Sequence, residues 1–402
     1  MTPAERRASA SLALIFAARM LGLFLVLPVF ALEAARYPGG GDTAMVGLAM
    51  GIYGLTQGVL QIPYGLASDR FGRKRVIVIG LLLFAAGSFM AAAAPTLGWL
   101  LAGRALQGAG AVSAAVTALL ADQTRDSVRT KAMALVGASI GLVFAVSLVA
   151  APLLAARIGL AGLFWLTGLL AIGCIAVVLW WTPPAPPRRT DMPRGRLLDV
   201  LVHVPLLRLD VGVFVLHAAQ VAMWVAIPAM LLQAGLGKAD HWWVYLPAVL
   251  ASFVVMGVVL FPLERRGYLR AVFLGAVGLL LLVQLGFAAA AAQPGLWLLG
   301  GLLFLFFCGF NVLEATQPSL ASRLAPPQSR GAALGVYNTL QSLGFFTGGA
   351  VGGWLAEHVG VSGLFGACAG LLLLWLVVAW PMHVPPARHS AEQVLADEAQ
   401  AT

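Results

Sequence analysis

Several ionisable side chains lie inside long apolar runs, where a charge is costly and its presence points to function. Glu314 is the one carboxylate well inside such a run. Asn311, Glu314 and Pro318 share a helix face by their three- and four-residue spacing, with Gln317 close by. A carboxyl group in that setting can carry a proton; the plainer alternative is a packed polar patch. His217 opens a second stripe, His217, Gln220 and Trp224, and an imidazole titrates near neutral pH. Tyr53, Gln57 and Gln61 form a third stripe, and Tyr337, Asn338 and Gln341 a fourth. Any one stripe can be glue between helices. On different helices they suit a shared cavity with aromatic faces and amide groups, fitted to a moderately apolar organic solute. Two permanent cations complete the set. Arg19 either faces that cavity and pairs an anion or snorkels to the nearby surface. Arg104 stands in LLAGRALQGAGAV, residues 100–112, with Gln107 a helical turn away as a further cavity candidate. A buried arginine costs at least about 2.5–3.5 kcal/mol at mid-membrane, so Arg104 is not expected to face lipid.

These side chains need a scaffold, and composition restricts what it can be. The chain has 402 residues, 60% hydrophobic and only 10% charged, with a mean hydropathy of +0.92. A soluble protein of this length cannot cover so much apolar surface with so few charges. Twelve apolar runs follow one another: 10–32, 43–66, 76–94, 97–120, 132–155, 160–181, 209–233, 241–261, 271–291, 295–320, 331–355 and 361–381. Each can cross a bilayer as a helix, which satisfies its own backbone there. The runs lack the ten-residue alternation of a membrane barrel. The expected fold is therefore an all-α membrane protein with twelve transmembrane helices. The first run starts close to the N-terminus with no small-residue cleavage site after it, so it reads as a retained helix, not a signal peptide. Cys174, Cys308 and Cys368 all fall in apolar runs, with neither metal-binding spacing nor a disulfide pattern. No phosphate-cradling loop is present. The reading expects no cofactor, no metal and no catalytic pair.

Net charge is +9, which in a soluble protein would raise the question of nucleic acid. Its distribution answers that question. Twenty of the 25 Lys and Arg fall in loops and tails on one side of the topology, and only Arg36, Arg157 and Lys238 on the other. That asymmetry orients an inner-membrane protein, and here it puts both termini in the cytoplasm. Cations spread over many short loops make a poor nucleic-acid patch.

The densest charge lies between the second and third runs. Residues 65–75 read GLASDRFGRKR, with five charges in the seven residues 69–75. A positive-inside loop needs the cations but has no use for Asp69. Gly65 and Gly72 allow close helix approach and a tight turn. The spacing Gly-x-x-x-Asp-Arg-x-Gly-Arg-Lys resembles the signature loop of the major facilitator superfamily of secondary transporters. Arg104-x-x-Gln-Gly-x-Gly resembles a motif of its proton-coupled members. GLFLVLPVF, GIYGLTQGVLQIP and FNVLEATQPSLASR resemble a bacterial efflux-type subgroup. The resemblance implies that Gly65, Asp69, Arg70, Gly72, Arg73 and Asp122 form a latch holding two halves together when the cavity faces outward. The partner of Asp69 would be the start of the eleventh span, near residues 329–333. An exposed ion pair of small effect is the alternative. The resemblance also implies a part for Arg104 in proton coupling, beside the alternative of bonding helix backbones and Gln107. Span five departs from the subgroup's antiporter motif, since Leu142 follows Gly141 and the proline waits until Pro152. Some members carry an extra soluble C-terminal domain, which this chain is not expected to have.

The chain divides in two. Residues 1–182 would form one six-helix bundle and 209–382 another. A Pro- and Arg-rich linker with a short interfacial helix, 183–208, joins them, and 383–402 is a cytoplasmic tail. The loop PLERRGYLR, 262–270, repeats the first one weakly: Glu264 falls on Asp69, Arg265 on Arg70 and Gly267 on Gly72. Such duplicated bundles rock about a site between them. The function expected is proton-coupled efflux of a small organic or drug-like solute by a monomer in the bacterial inner membrane. A proton-coupled importer of the same fold is the alternative, and a non-transporting sensor a more distant one.

Overall fold

The computed structural model describes residues 1–110, 112–184, 200–325 and 330–382. Most of the expected linker and all of the tail lie outside them. The described residues are helical, with no strand among them. In chain order the helices are α1 Pro3–Phe24, α2 Leu27–Ala34, α3 Thr43–Phe71, α4 Arg73–Ala92, α5 Leu97–Gly108, α6 Ser113–Asp122 and α7 Asp126–Ala176. After the linker come α8 Val204–Gln233, α9 Trp242–Arg265, α10 Leu269–Ala290, α11 Leu296–Leu324, α12 Arg330–His358 and α13 Gly360–Ala379. Ten stretches of the described residues are long and apolar enough to cross a membrane. One of them, Leu135–Trp181, has 47 residues, about twice what a crossing requires. Its backbone leaves the helical region at Gly159 (φ 65°, ψ −176°), inside the loop expected between spans five and six. The 29-residue α12 is also long enough to cross, though less apolar. Large apolar side chains stay exposed around the outside, among them Trp297 at 93%, Val258 at 68% and Leu282 at 66%, as lipid-facing positions must.

Two expected spans are broken. Span one splits at Leu25–Val26, just ahead of Pro28, whose ring nitrogen has no proton to donate. Span four splits between α5 and α6. A Cβ on Gly108 would sit 2.3 Å from the Tyr53 carbonyl oxygen, and one on Gly110 would sit 2.5 Å from that of Gly80. The chain is pressed between two other backbones at the break.

The duplication shows in the contacts at the end of the molecule that carries the N-terminus, called here the near face. In the first half, Arg7 donates to the Trp181 carbonyl at 2.6 Å and Lys74 to the Thr182 carbonyl at 2.5 Å. In the second half, Arg208 donates to the Pro381 carbonyl at 3.1 Å and Arg270 to the Met382 carbonyl at 3.0 Å. In both halves, cations on the first and third crossings cap the carbonyl end of the last. Gly72 and Gly267, aligned from sequence, both take positive φ (99° and 82°), which favours glycine.

The halves meet along α3 and α12, which run antiparallel. A Cβ on Gly47 would lie 2.3 Å from the Gly349 carbonyl oxygen, on Gly51 2.5 Å from that of Phe346, and on Gly54 2.5 Å from that of Ser342. The two backbones touch with no side chain between them. The far end is tied further: the Thr43 amide donates to Glu357 Oε2 at 2.9 Å, and Lys238 Nζ lies 2.5 Å from Glu33 Oε1. Toward the near face this contact stops. Gly335 has nothing within 4 Å, and a Cβ on Gly65 meets only Ala114 of its own half. Among the described residues the halves are therefore closed at the far face and parted at the near face. Overpacking such a contact costs about 1–3 kcal/mol, so Gly51→Val should deplete this closed state roughly tenfold. A Thr43→Cys/Glu357→Cys pair should cross-link readily alone and far less beside Gly51→Val; equal yields would remove the role given to the glycines.

Candidate functional site

Where the far-face contact ends, polar side chains gather from both halves. Arg19, 3% exposed, projects from α1 toward α3 and α6. It donates to Ser113 Oγ at 2.5 Å, Tyr53 Oη at 2.9 Å and Gln57 Oε1 at 2.6 Å. All three partners are neutral, so among the described residues the guanidinium is held without a counter-ion. Gln57 Nε2 then donates to Ser342 Oγ on α12 at 3.1 Å, which links Arg19 to the other half. The stripe of Tyr53 and Gln57 thus serves as a clamp for a cation it could not foresee from spacing alone.

Arg104 is 1% exposed and lies a layer deeper in the first half. It donates to Gln107 Oε1 at 2.6 Å and to the Met50 carbonyl at 3.3 Å, and Gln107 Nε2 passes the chain on to Ser88 Oγ at 2.9 Å. Its guanidinium also sits over the rings of Tyr53, Phe30 and Phe164, 4.9, 5.7 and 5.9 Å from their centres. Aromatic faces attract a desolvated cation by about 2 kcal/mol each at best. No carboxylate reaches it among the described residues.

The second half supplies the titratable groups. His217 on α8 is 2% exposed. Its Nδ1 lies 2.8 Å from the Val213 carbonyl oxygen, which can only accept, so Nδ1 carries a proton. Its Nε2 faces Glu314 Oε2 at 3.2 Å and the Gln341 amide at 2.8 Å. With its proton on Nδ1, the imidazole can accept at Nε2 from the Gln341 amide nitrogen; with a second proton on Nε2 it would donate to Glu314 or, once the amide turns over, to the amide oxygen. Phe310 and Phe345 wall the imidazole, with ring centres 5.8 and 4.9 Å away. The Glu314 side chain is 39% exposed although it stands in the middle of α11. It therefore borders the space between the parted halves.

The other expected residues are scattered. Asn311 donates to Ser252 Oγ at 2.8 Å and ties α11 to α9. Gln61 and Gln220 are buried, and Asn338 and Gln341 partly exposed. Trp224 and Gln107 do not line a cavity. Trp224 is wholly buried with its ring edge-on to Tyr245 at 5.1 Å, and Gln107 is committed to Arg104 and Ser88. Large flat rings on an all-round apolar helix find more contact in the core than at a wet surface. Tyr337 is also buried, at 2% exposure. Sequence reasoning missed Ser88, Ser113 and Ser342, since a serine in an apolar run carries no spacing signal. At the near face, Arg73 pairs with Asp122 at 3.0 Å and donates to Ser68 Oγ at 2.7 Å. Arg70 is exposed, over the ring of Phe71. The side chains of Asp69, Glu264 and Arg265, and residues 326–329, lie outside the described ones, so the expected contact of Asp69 with span eleven is not among the described contacts.

Two bundles with matched near-face caps, joined by bare backbone at one end, are what a rocking transporter requires. A family model described as Major Facilitator Superfamily matches residues 12–349 and 265–400. The chain belongs to the major facilitator superfamily. It is a transporter, as are its relatives, and not an enzyme. It is 43% identical over 392 residues to the inner membrane transport protein YajR of Escherichia coli, covering 96% of this chain and 85% of that one. It is 28% identical over 358 residues to the multidrug resistance protein MdtH of Aeromonas salmonicida, covering 86% of each. The crystal structure of the nucleoside transporter NupG superposes with a TM-score of 0.75 at 14% identity, over 93% of this chain and 99% of that one, and shares the superfamily fold.

The superfamily fold gives Arg104 a structural test. Lysine cannot form the fork that serves Gln107 and Met50 together. Arg104→Lys should therefore lower stability by about 1–3 kcal/mol, seen as a fall in Tm of the purified protein. An unchanged Tm would assign the network no share in stability.

Proposed function

We propose that this chain is a proton-coupled exporter of small organic solutes, working by alternating access. The observation that carries the reading is the 3.2 Å approach of His217 Nε2 to Glu314 Oε2, a place where a proton could be held. The pair lies at the level where the halves separate, and its carboxylate borders the space between them. A solute entering from the near face would meet Glu314 and Gln341 on one side and the Arg19–Tyr53–Gln57 group on the other. Protonation of the pair cancels its charge mismatch and lets the halves close; release of the proton reopens them. The near face is cytoplasmic in this reading, with both termini there, because 20 of 25 basic residues lie on that side. Its likeness to YajR, an inner membrane transport protein, favours a bacterial inner-membrane location, and its likeness to MdtH, a multidrug resistance protein, favours outward transport of drug-like molecules. The working unit is a monomer, whose partners are the solute, protons and lipid. Asp69, with Gly65, Arg70, Gly72, Arg73 and Asp122, would latch the near face when the cavity opens outward.

Everted membrane vesicles test direction and coupling together. Acidifying the lumen should drive accumulation of ethidium or tetracycline, and Glu314→Gln should abolish the drive while the protein remains folded in the membrane. Solute expelled by the same gradient would favour import, and a Glu314→Gln variant with normal pH-driven uptake would remove the carboxylate from the coupling step. For the latch, Asp69→Asn should reduce labelling from outside of a cysteine placed at Ser342, since the outward-open state loses its anion. Equal labelling would take the latch role from Asp69.

A further inference from the structure

At the near face, beside the end of the sixth crossing, the first half leaves a cavity of about 570 Å3. Arg7 of α1 and Lys74 of α4 line it, with Leu179, Trp180, Thr182 and Pro183 from the end of that crossing. The volume falls within the roughly 300–1,000 Å3 of small-molecule sites. Its walls are of two kinds. Trp180 is 78% exposed and Leu179 54%, an apolar ledge turned toward lipid, and an indole at the end of a crossing sits where the headgroups begin. The other wall carries the two cations.

Both cations are fixed by backbone and keep donors to spare. Arg7 spends two of its five N–H groups, on the Trp181 and Trp180 carbonyls at 2.6 and 3.2 Å. Lys74 spends one of three, on the Thr182 carbonyl at 2.5 Å. The rest have no partner among the described residues. Trp181 and Thr182 are consecutive, with Cα atoms about 3.8 Å apart, so the two charges stand side by side. Among the described residues no acid lines the cavity. Glu5, two residues before Arg7, is committed to Arg125 at 2.8 Å, and Asp122 to Arg73, the neighbour of Lys74, at 3.0 Å.

The second half treats its matching cation differently. Arg270 donates to the Met382 and Trp380 carbonyls and lays its guanidinium over the Trp380 ring, 5.9 Å from the centre. Lysine has a point charge and no flat face to lay on an indole, and beside Lys74 the cavity stays open.

We propose that this cavity binds an anionic phospholipid, with its phosphate between Arg7 and Lys74 and its acyl chains along Trp180 and Leu179. The inference does not rest on the proton-coupled reading. Basic pockets among helices at a cytoplasmic surface take such headgroups, and each cation near the surface is worth about fivefold in affinity. A phosphodiester sets charged oxygens against both cations while its chains continue onto the ledge. A soluble anion would use the cations and leave the ledge bare. The lipid would join α1, α4 and the sixth crossing, all of one half, so it steadies that bundle and does not bridge the two.

The test uses the full chain in detergent micelles holding equal amounts of phosphatidylglycerol and phosphatidylcholine with identical acyl chains, and counts the lipid retained by native mass spectrometry. The wild type should retain phosphatidylglycerol in preference, and its Tm should rise with that lipid and not with phosphatidylcholine. Lys74→Gln carries a donor for the Thr182 carbonyl but no charge. It should lower the preference about fivefold, and Arg7→Gln/Lys74→Gln about twenty-five-fold. Arg266→Gln removes an exposed near-face cation of the second half and should leave the preference unchanged. If the double variant does not fold, Lys74→Gln alone decides. A preference unaltered in folded Lys74→Gln, or lowered as much by Arg266→Gln, would overturn the site, the latter in favour of a diffuse surface charge. Inorganic phosphate that displaces the lipid where sodium chloride of equal ionic strength does not would make this a site for a soluble anion and overturn the lipid as its occupant.

Discussion

The contact between α3 and α12 is the constraint on which the other features rest. Two helices can lie with backbones touching only where neither carries a side chain, and Gly47, Gly51, Gly54, Gly349 and Gly353 supply that stretch. The contact brings Gln57 within hydrogen-bond distance of Ser342 and so holds Arg19 at the boundary between halves. Beyond Gly58 and Thr339 the small residues no longer face each other closely. The helices part, and Glu314 gains its exposure. The seam and the opening are consequences of one pattern along two helices.

Much of the fold was legible in the sequence, because hydropathy and backbone satisfaction in lipid admit few solutions. The loop at 65–75 was specific enough to point to the superfamily, and the weaker copy at 262–270 placed Gly267 opposite Gly72, where the backbone makes the same turn. The helix breaks at Leu25–Val26 and after Gly108 were not legible. They depend on what the neighbouring backbones do, and a run of apolar letters does not record that. The site was legible in part. Glu314, His217 and Gln341 were each singled out on separate helices, but nothing in their spacing said that they touch. Trp224 shared a stripe with His217 and went into the core instead, since α8 is buried nearly all round and a stripe on such a helix has no preferred outlet.

Arg104 shows how a membrane interior accommodates a cation without an anion. One amide and one carbonyl take its protons, and three rings cover its faces. A neutral cage of this kind leaves the group charged whatever the state of its neighbours. Glu314 is handled in the opposite way. It lies beside an imidazole and near an amide, each of which can present either a donor or an acceptor.

That contrast follows the duplication. Within the expected spans the first half has two arginines, Arg19 and Arg104, and no carboxylate; the second has Asp210 and Glu314 and neither lysine nor arginine. Two bundles of common architecture have thus become a fixed electrode and a variable one. A membrane voltage would pull on the first with constant force and, under the proton-coupled reading proposed above, on the second with a force that changes as its carboxylates gain or lose protons. On that reading the voltage sensitivity of the rocking motion would not be a constant of the molecule but something that the pH on either side of the bilayer sets.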